Sequence, residues 1–229
     1  MNFYKRHKIS SWAVKITKEM SDIAMQLSQE MLQFFHRKVL KIQPLGKIDF
    51  IDPYTGEKKI IGVSVAPGEN NPDRISIYGP ENFSLMLYPN NLHGSFSDTS
   101  VINSYYQSIL HELTHSVDPK MQSGSGFNGI NKVDQINKSK DINDYYNFYP
   151  EFDAYCRQII EHVRLQISQN PNEKTSLTKW LESSKVLSFP FVIQPYRSII
   201  SSWYQNDTKH KTDYIKKLKI RLYNELIKG

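Results

Sequence analysis

Cysteine is all but missing. Cys156 is the only one in 229 residues, so no internal disulfide can form and nothing in the composition calls for an oxidising compartment. A lone thiol inside an apolar-periodic segment reads as a small core residue rather than a nucleophile. No run approaches the roughly 18 consecutive apolar residues of a membrane-spanning helix, so no membrane span is expected. The basic start, Met1 to Lys8, leads into an amphipathic pattern instead of an unbroken apolar stretch with a small-residue cleavage site. No signal peptide is therefore expected, which points to a cytoplasmic location, with delivery by a non-classical route as the alternative. Internal repeats and low-complexity tracts are absent as well.

What the chain does have is enough apolar surface for a sizeable core, with 39% hydrophobic and 12% aromatic residues. Its net charge is +6, concentrated at Lys5, Arg6 and Lys8 and again at Lys209, Lys211, Lys216, Lys217, Lys219, Arg221 and Lys228. Such runs read as solvated faces in preference to a nucleic-acid surface.

The pattern along the chain predicts an α+β domain spanning 1–229 with a helical C-terminal extension. Ile16, Met20, Ile23, Leu27, Met31 and Phe34 mark a helix from about Ser11 to Lys38 within an N-terminal part of about 1–40. His36 near its end suits a partner for the helix dipole. Pro44 and Gly46 break the pattern. Over 45–90 come four short apolar or alternating runs, Ile48–Ile51, Lys59–Val65, Arg74–Tyr78 and Phe83–Tyr88, bounded by turn sequences such as Asp52-Pro53-Tyr54-Thr55-Gly56. They predict a small sheet, mainly antiparallel given the short links, with the last run as an edge strand able to pair with an extended substrate. Two further helices and a polar loop of about thirty residues are expected over 98–170, the loop as a rim beside a cleft. Helical segments over 175–229 include Leu177, Trp180 and Leu181, then Tyr196, Ile199, Ile200 and Trp203, then Ile215, Leu218, Leu222 and Leu226.

The chemistry concentrates at His111-Glu112-Leu113-Thr114-His115. Two histidines four apart on a helix share a face, so both imidazoles can reach one metal ion. Zinc accepts imidazole nitrogen at about 2.0–2.1 Å, and a catalytic zinc site uses three protein ligands and leaves a fourth position to water. Glu112 lies beside that water, where a carboxylate can act as general base. Ile102, Tyr106, Ile109 and Leu113 place the motif on an amphipathic helix, with Asp98 as its expected N-cap. A second helix opens at Pro150, and Glu151 stands in its first turn with Ala154 one turn later, where a small residue permits close helix approach. Asp134, Asp141, Asp144 and Asp153 are rival carboxylates, and His162 a rival imidazole. Glu151 alone heads a helix followed by a small residue.

HELTH at 111–115 followed by Glu151 in EFDAY resembles the HExxH zinc metallopeptidases, the zincins, of the gluzincin kind. HELTHSVD and the tyrosines ahead of Glu151 are similar to the anthrax lethal factor type. The resemblance covers roughly 80–165 and implies a zincin-like fold with an HExxH active-site helix. It implies His111, His115 and Glu151 as zinc ligands, Glu112 as general base and Asp118 as a carboxylate holding a ligand imidazole or loop. It also implies a tyrosine stabilising the oxyanion, for which Tyr145 is the nearest match, with Tyr146 and Tyr149 as rivals. Metzincins need a glycine and a histidine where this chain has Asp118 and Met121, so that branch is set aside. The implied activity is hydrolysis of peptide bonds in a protein or peptide substrate. The alternatives are a non-catalytic zincin-fold protein binding through its basic termini, or a dedicated toxin or phage protease for one host protein.

Overall fold

A computed structural model describes residues 14–37, 39–68, 75–78, 84–89, 97–119, 149–183, 189–205 and 209–228. They fall into two compact units, one within Val14–Gly129 and the other within Ile130–Gly229. Among the described residues, no helix is long and apolar enough to cross a membrane. The α+β class expected from the pattern holds, with both helices and a small sheet present.

In the first unit, helix α1 (Lys18–Phe35) starts where Thr17 leaves extended backbone and its hydroxyl accepts the Met20 N–H at 3.2 Å. That acceptor satisfies one of the donors the first turn cannot pair internally, and it sets the start at Lys18 rather than near Ser11. Met20, Ala24, Leu27 and Met31 form the buried face. Each of the large side chains among them contributes roughly 1.5–3 kcal/mol. His36 closes the helix, its N–H donating to the Leu32 carbonyl while the Arg37 N–H donates to that of Phe34, and the His36 ring lies 3.4 Å from the Asp98 carboxylate.

Strands β1 (Gln43–Ile51), β2 (Lys58–Val65), β3 (Ile75–Tyr78) and β4 (Ser84–Leu87) form one sheet in the order β1-β2-β4-β3. β1 and β2 make an antiparallel hairpin through the Asp52–Gly56 turn, where Gly56 takes φ +72°. β1 runs through Pro44 and Gly46, which the sequence marked as a break. The register shifts between them and Gly46 adopts φ +128°, a bulge that absorbs both residues on an edge strand. β3 and β4 pair antiparallel, whereas β2 and β4 pair in parallel. The sheet is therefore mixed, and β4 is internal, so the expectation of an edge strand at Phe83–Tyr88 is corrected: β3 takes that edge. Phe50, Ile61, Val63, Val65, Leu85 and Leu87 supply the buried side chains of the sheet.

Helix α2 (Asp98–Val117) is capped by Ser97, one residue before the expected Asp98, with the Ser97 hydroxyl accepting the Ser100 N–H at 3.3 Å. It packs on α1 and beside β3. The fully buried Tyr105 donates its hydroxyl to the Pro89 carbonyl at 2.8 Å, tying the helix to the chain just after β4. From Tyr105 to Asp118 only Ser108 and Glu112 keep partial exposure, so the helix is enclosed on far more than the single stripe its periodicity indicates.

The second unit is helical: α3 (Tyr149–Gln169), α4 (Glu173–Glu182), a 3-10 turn (Phe191–Tyr196), α5 (Arg197–Gln205), α6 (Lys209–Leu222) and a π-helical last turn (Tyr223–Lys228). Phe152, Cys156, Ile159, Ile160 and Val163 of α3 share one core with Leu177, Trp180, Leu181, Trp203, Leu218 and Leu222. The helix bearing Glu151 is thus built into the C-terminal helices. Cys156 is a core thiol, as expected, and burial pushes its pKa up to about 12.

Part of the basic C-terminal run, read as a solvated face, works inside this unit. Lys219 donates to the carbonyls of Trp180 and Ser183 at 2.9 and 2.8 Å and lies 4.6 Å from the Trp180 ring centre, closing the end of α4. Arg221 is 4% exposed and pairs at 2.6 Å with Asp153, 3% exposed. Glu225 accepts from Arg157 at 2.9 Å and Arg164 at 3.2 Å, joining the last turn to α3.

His162 sits edge-on to Tyr196 at 5.3 Å, and burial lowers its pKa below the ordinary 6.5. The unfolded chain binds a proton there before the folded one does. Its contribution is therefore whole at neutral pH and is lost as pH falls below about 6.5. Replacing His162 by Gln should flatten that part of the acid destabilisation, read as a smaller drop in the urea midpoint between pH 7.5 and pH 5.5. An unchanged drop assigns it to other groups.

Candidate metal centre

α2 presents His111 and His115 one turn apart, buried at 5% and 4% exposure. Their rings cross at 81° with centroids 4.9 Å apart, and the two Nε2 atoms are 3.2 Å from each other. Two imidazole nitrogens bound to one zinc ion at about 2.0–2.1 Å in tetrahedral geometry stand about 3.3 Å apart. The observed spacing is close to that value.

Glu151, in the first turn of α3, is 8% exposed. One donor atom from each of His111, His115 and Glu151 lies within 4.8 Å of the other two. Among the described residues this is the group of histidine, cysteine and carboxylate donors close enough to share an ion. Two imidazoles and one carboxylate form a donor set that zinc accepts.

The remaining sequence-predicted residues divide clearly. Glu112 follows His111 on α2 and is partly buried between neighbours in sequence that are enclosed. Asp118 is the C-cap of α2, with its N–H donating to the His115 carbonyl at 3.3 Å and its side chain 2% exposed. Tyr145 and Tyr146 lie outside the described residues, as do Asp134, Asp141 and Asp144. Asp153, the rival within reach of description, is committed to Arg221. His162 stands three helical turns beyond Glu151, about 16 Å along α3, and packs on Tyr196.

Sequence reasoning missed the groups behind the last turn of α2. Thr114 and Ser116 turn their hydroxyls back onto the carbonyls of Leu110 and Leu113 at 2.7 and 2.8 Å, so the buried hydroxyls are satisfied within the helix. Lys59 of β2 donates to the Ser116 carbonyl and lies 3.2 Å from Asp52.

The fold is α+β, and among the described residues it carries a buried His-His-Glu group that could hold a metal ion. No family model matches the chain, and neither curated proteins nor solved structures provide a match.

Proposed function

We propose that the protein is a zinc-dependent peptide hydrolase of the zincin kind, with His111, His115 and Glu151 holding the ion and Glu112 serving as general base. The observation that carries the reading is the 3.2 Å separation of the two buried Nε2 atoms together with the Glu151 carboxylate within 4.8 Å. When bound, zinc supplies Lewis acidity, polarising a carbonyl and bringing the pKa of water toward neutrality.

The chain's own residues do the rest. Glu112 is exposed enough to meet water and takes its proton as the water oxygen attacks the scissile carbonyl carbon. It then passes that proton to the leaving amine nitrogen as the C–N bond breaks. Asp118, buried one turn beyond His115, holds the end of the helix that carries both imidazoles. The edge of β3, flanking α2, is where an extended peptide would add as a further strand. A protein acting instead through free basic termini draws less support, because Lys219 and Arg221 of the C-terminal run are engaged internally.

The ligand assignment is tested by metal content. Wild-type protein should carry one equivalent of zinc by elemental analysis after dialysis, and Glu151→Ala should retain well under half of it. Full retention in Glu151→Ala overturns Glu151 as the third ligand.

A further inference from the structure

Lys59 lies on β2 in phase with Ile61, Val63 and Val65, which are buried, and pairs in register with the buried Phe50. An ammonium on the inward face of a sheet is costly unless partnered. Its side chain is 17% exposed and its nitrogen bridges the Ser116 carbonyl and Asp52. Burial draws its pKa down, while the Asp52 carboxylate opposes that shift.

Asp52 is fixed in turn. It is 2% exposed, and its Oδ1 accepts the N–H groups of Tyr54 and Thr55 at 2.8 and 3.3 Å. Its own N–H donates to the Glu57 carbonyl and its carbonyl accepts from Gly56, each at 2.9 Å. The hairpin tip is thus a rigid anchor for one charged oxygen.

At the other end, the Ser116 carbonyl is among the last four of α2, which lack intrahelical donors and carry the negative end of the helix dipole. It belongs to the residue after His115. A metal site needs its donors held within about 0.5 Å, and the last turn of a helix is where backbone geometry is loosest.

We propose that Lys59, held by Asp52, is a positioning residue of the metal centre: it clamps the last turn of α2 at Ser116 and so fixes the His115 imidazole against that of His111. The inference rests on the metal reading of His111, His115 and Glu151. Partners one step removed from a metal commonly set affinity by about 10- to 100-fold, and a clamp on the backbone belongs at the lower end.

The test is zinc affinity of the full chain, measured by competition with a chromophoric chelator, alongside thermal melting of the zinc-free protein. Lys59→Met should bind zinc about 10-fold more weakly, and Lys59→Arg should stay within about threefold of wild type. Asp52→Asn keeps the oxygen acceptor of the turn and loses the charge, so it should weaken binding as well. The double variant should bind about as weakly as Lys59→Met alone, since both act through one contact.

A lysine that is structural only would lower melting without moving zinc affinity, and wild-type affinity in Lys59→Met overturns the clamp. Should Lys59→Met fail to fold, Asp52→Asn decides by the same criterion. A wild type that takes up no zinc removes the metal reading and the clamp together. A wild type that binds zinc beside an unaffected Lys59→Met removes the clamp alone.

Discussion

Glu112→Gln is expected to lower peptide hydrolysis by about 10²- to 10⁴-fold while leaving the zinc content at one equivalent. Glutamine has nearly the shape of glutamate but its amide cannot accept a proton from water at neutral pH, so the variant isolates proton transfer from packing. The position favours a clean result. Glu112 is partly exposed on a helix whose neighbouring residues are enclosed, and the exchange preserves side-chain volume, so melting of the variant should stay near that of wild type. The fall should appear in kcat and in kcat/KM alike, because the proton moves only as the bond to water forms. The measurement is the cleavage rate of a fluorogenic protein substrate beside elemental analysis of the same preparation. Undiminished cleavage takes Glu112 out of the mechanism. Loss of zinc instead would make Glu112 a ligand and require the donor set to be redrawn.

Much of this site could be read from spacing because its geometry is local. His111 and His115 meet through one helical turn, a relation the sequence states directly, and Pro150 and Ala154 mark Glu151 as the head of a helix. Sheet order is a different matter. β3 and β4 are neighbours in sequence and pair as a hairpin, in keeping with a mainly antiparallel sheet, but the parallel pairing of β2 with β4 joins segments separated by β3, which short links alone do not reveal.

Lys59 was legible in part, since it falls in the alternation with Ile61, Val63 and Val65. A charged residue at an inward position is a request for a partner, but the Ser116 carbonyl that answers it lies 57 residues away. The basic C-terminal run misled for the opposite reason. Charge clusters are usually solvated, and only the three-dimensional packing reveals that Arg221 faces Asp153 and Lys219 faces the end of α4.

Arg221→Met should destabilise the helical unit by about 3–5 kcal/mol, the usual cost of breaking a buried ion pair from one side. Both partners are almost fully enclosed, at 4% and 3% exposure, and their charged atoms are 2.6 Å apart. The guanidinium also lies 5.3 Å from the Phe152 ring centre, in a cluster where Phe152 stacks on Tyr214 at 4.0 Å. Methionine keeps most of the apolar stem in that cluster, so the loss comes chiefly from a carboxylate left in a poorly solvating interior. Removing the carboxylate too should therefore restore much of the stability: Asp153→Leu/Arg221→Met is expected within about 1–2 kcal/mol of wild type, because two apolar groups replace two desolvated charges. Urea denaturation followed by fluorescence gives the comparison directly, since Trp180 and Trp203 both belong to this core. A double variant as unstable as Arg221→Met alone would show that the arginine acts through its contact with Phe152 rather than through its charge. Because Asp153 stands two residues after Glu151 at the head of the same helix, the single variant should weaken zinc binding while the restored double variant recovers it. Recovery of fold without recovery of zinc would separate the stability of this unit from the placing of its metal ligand.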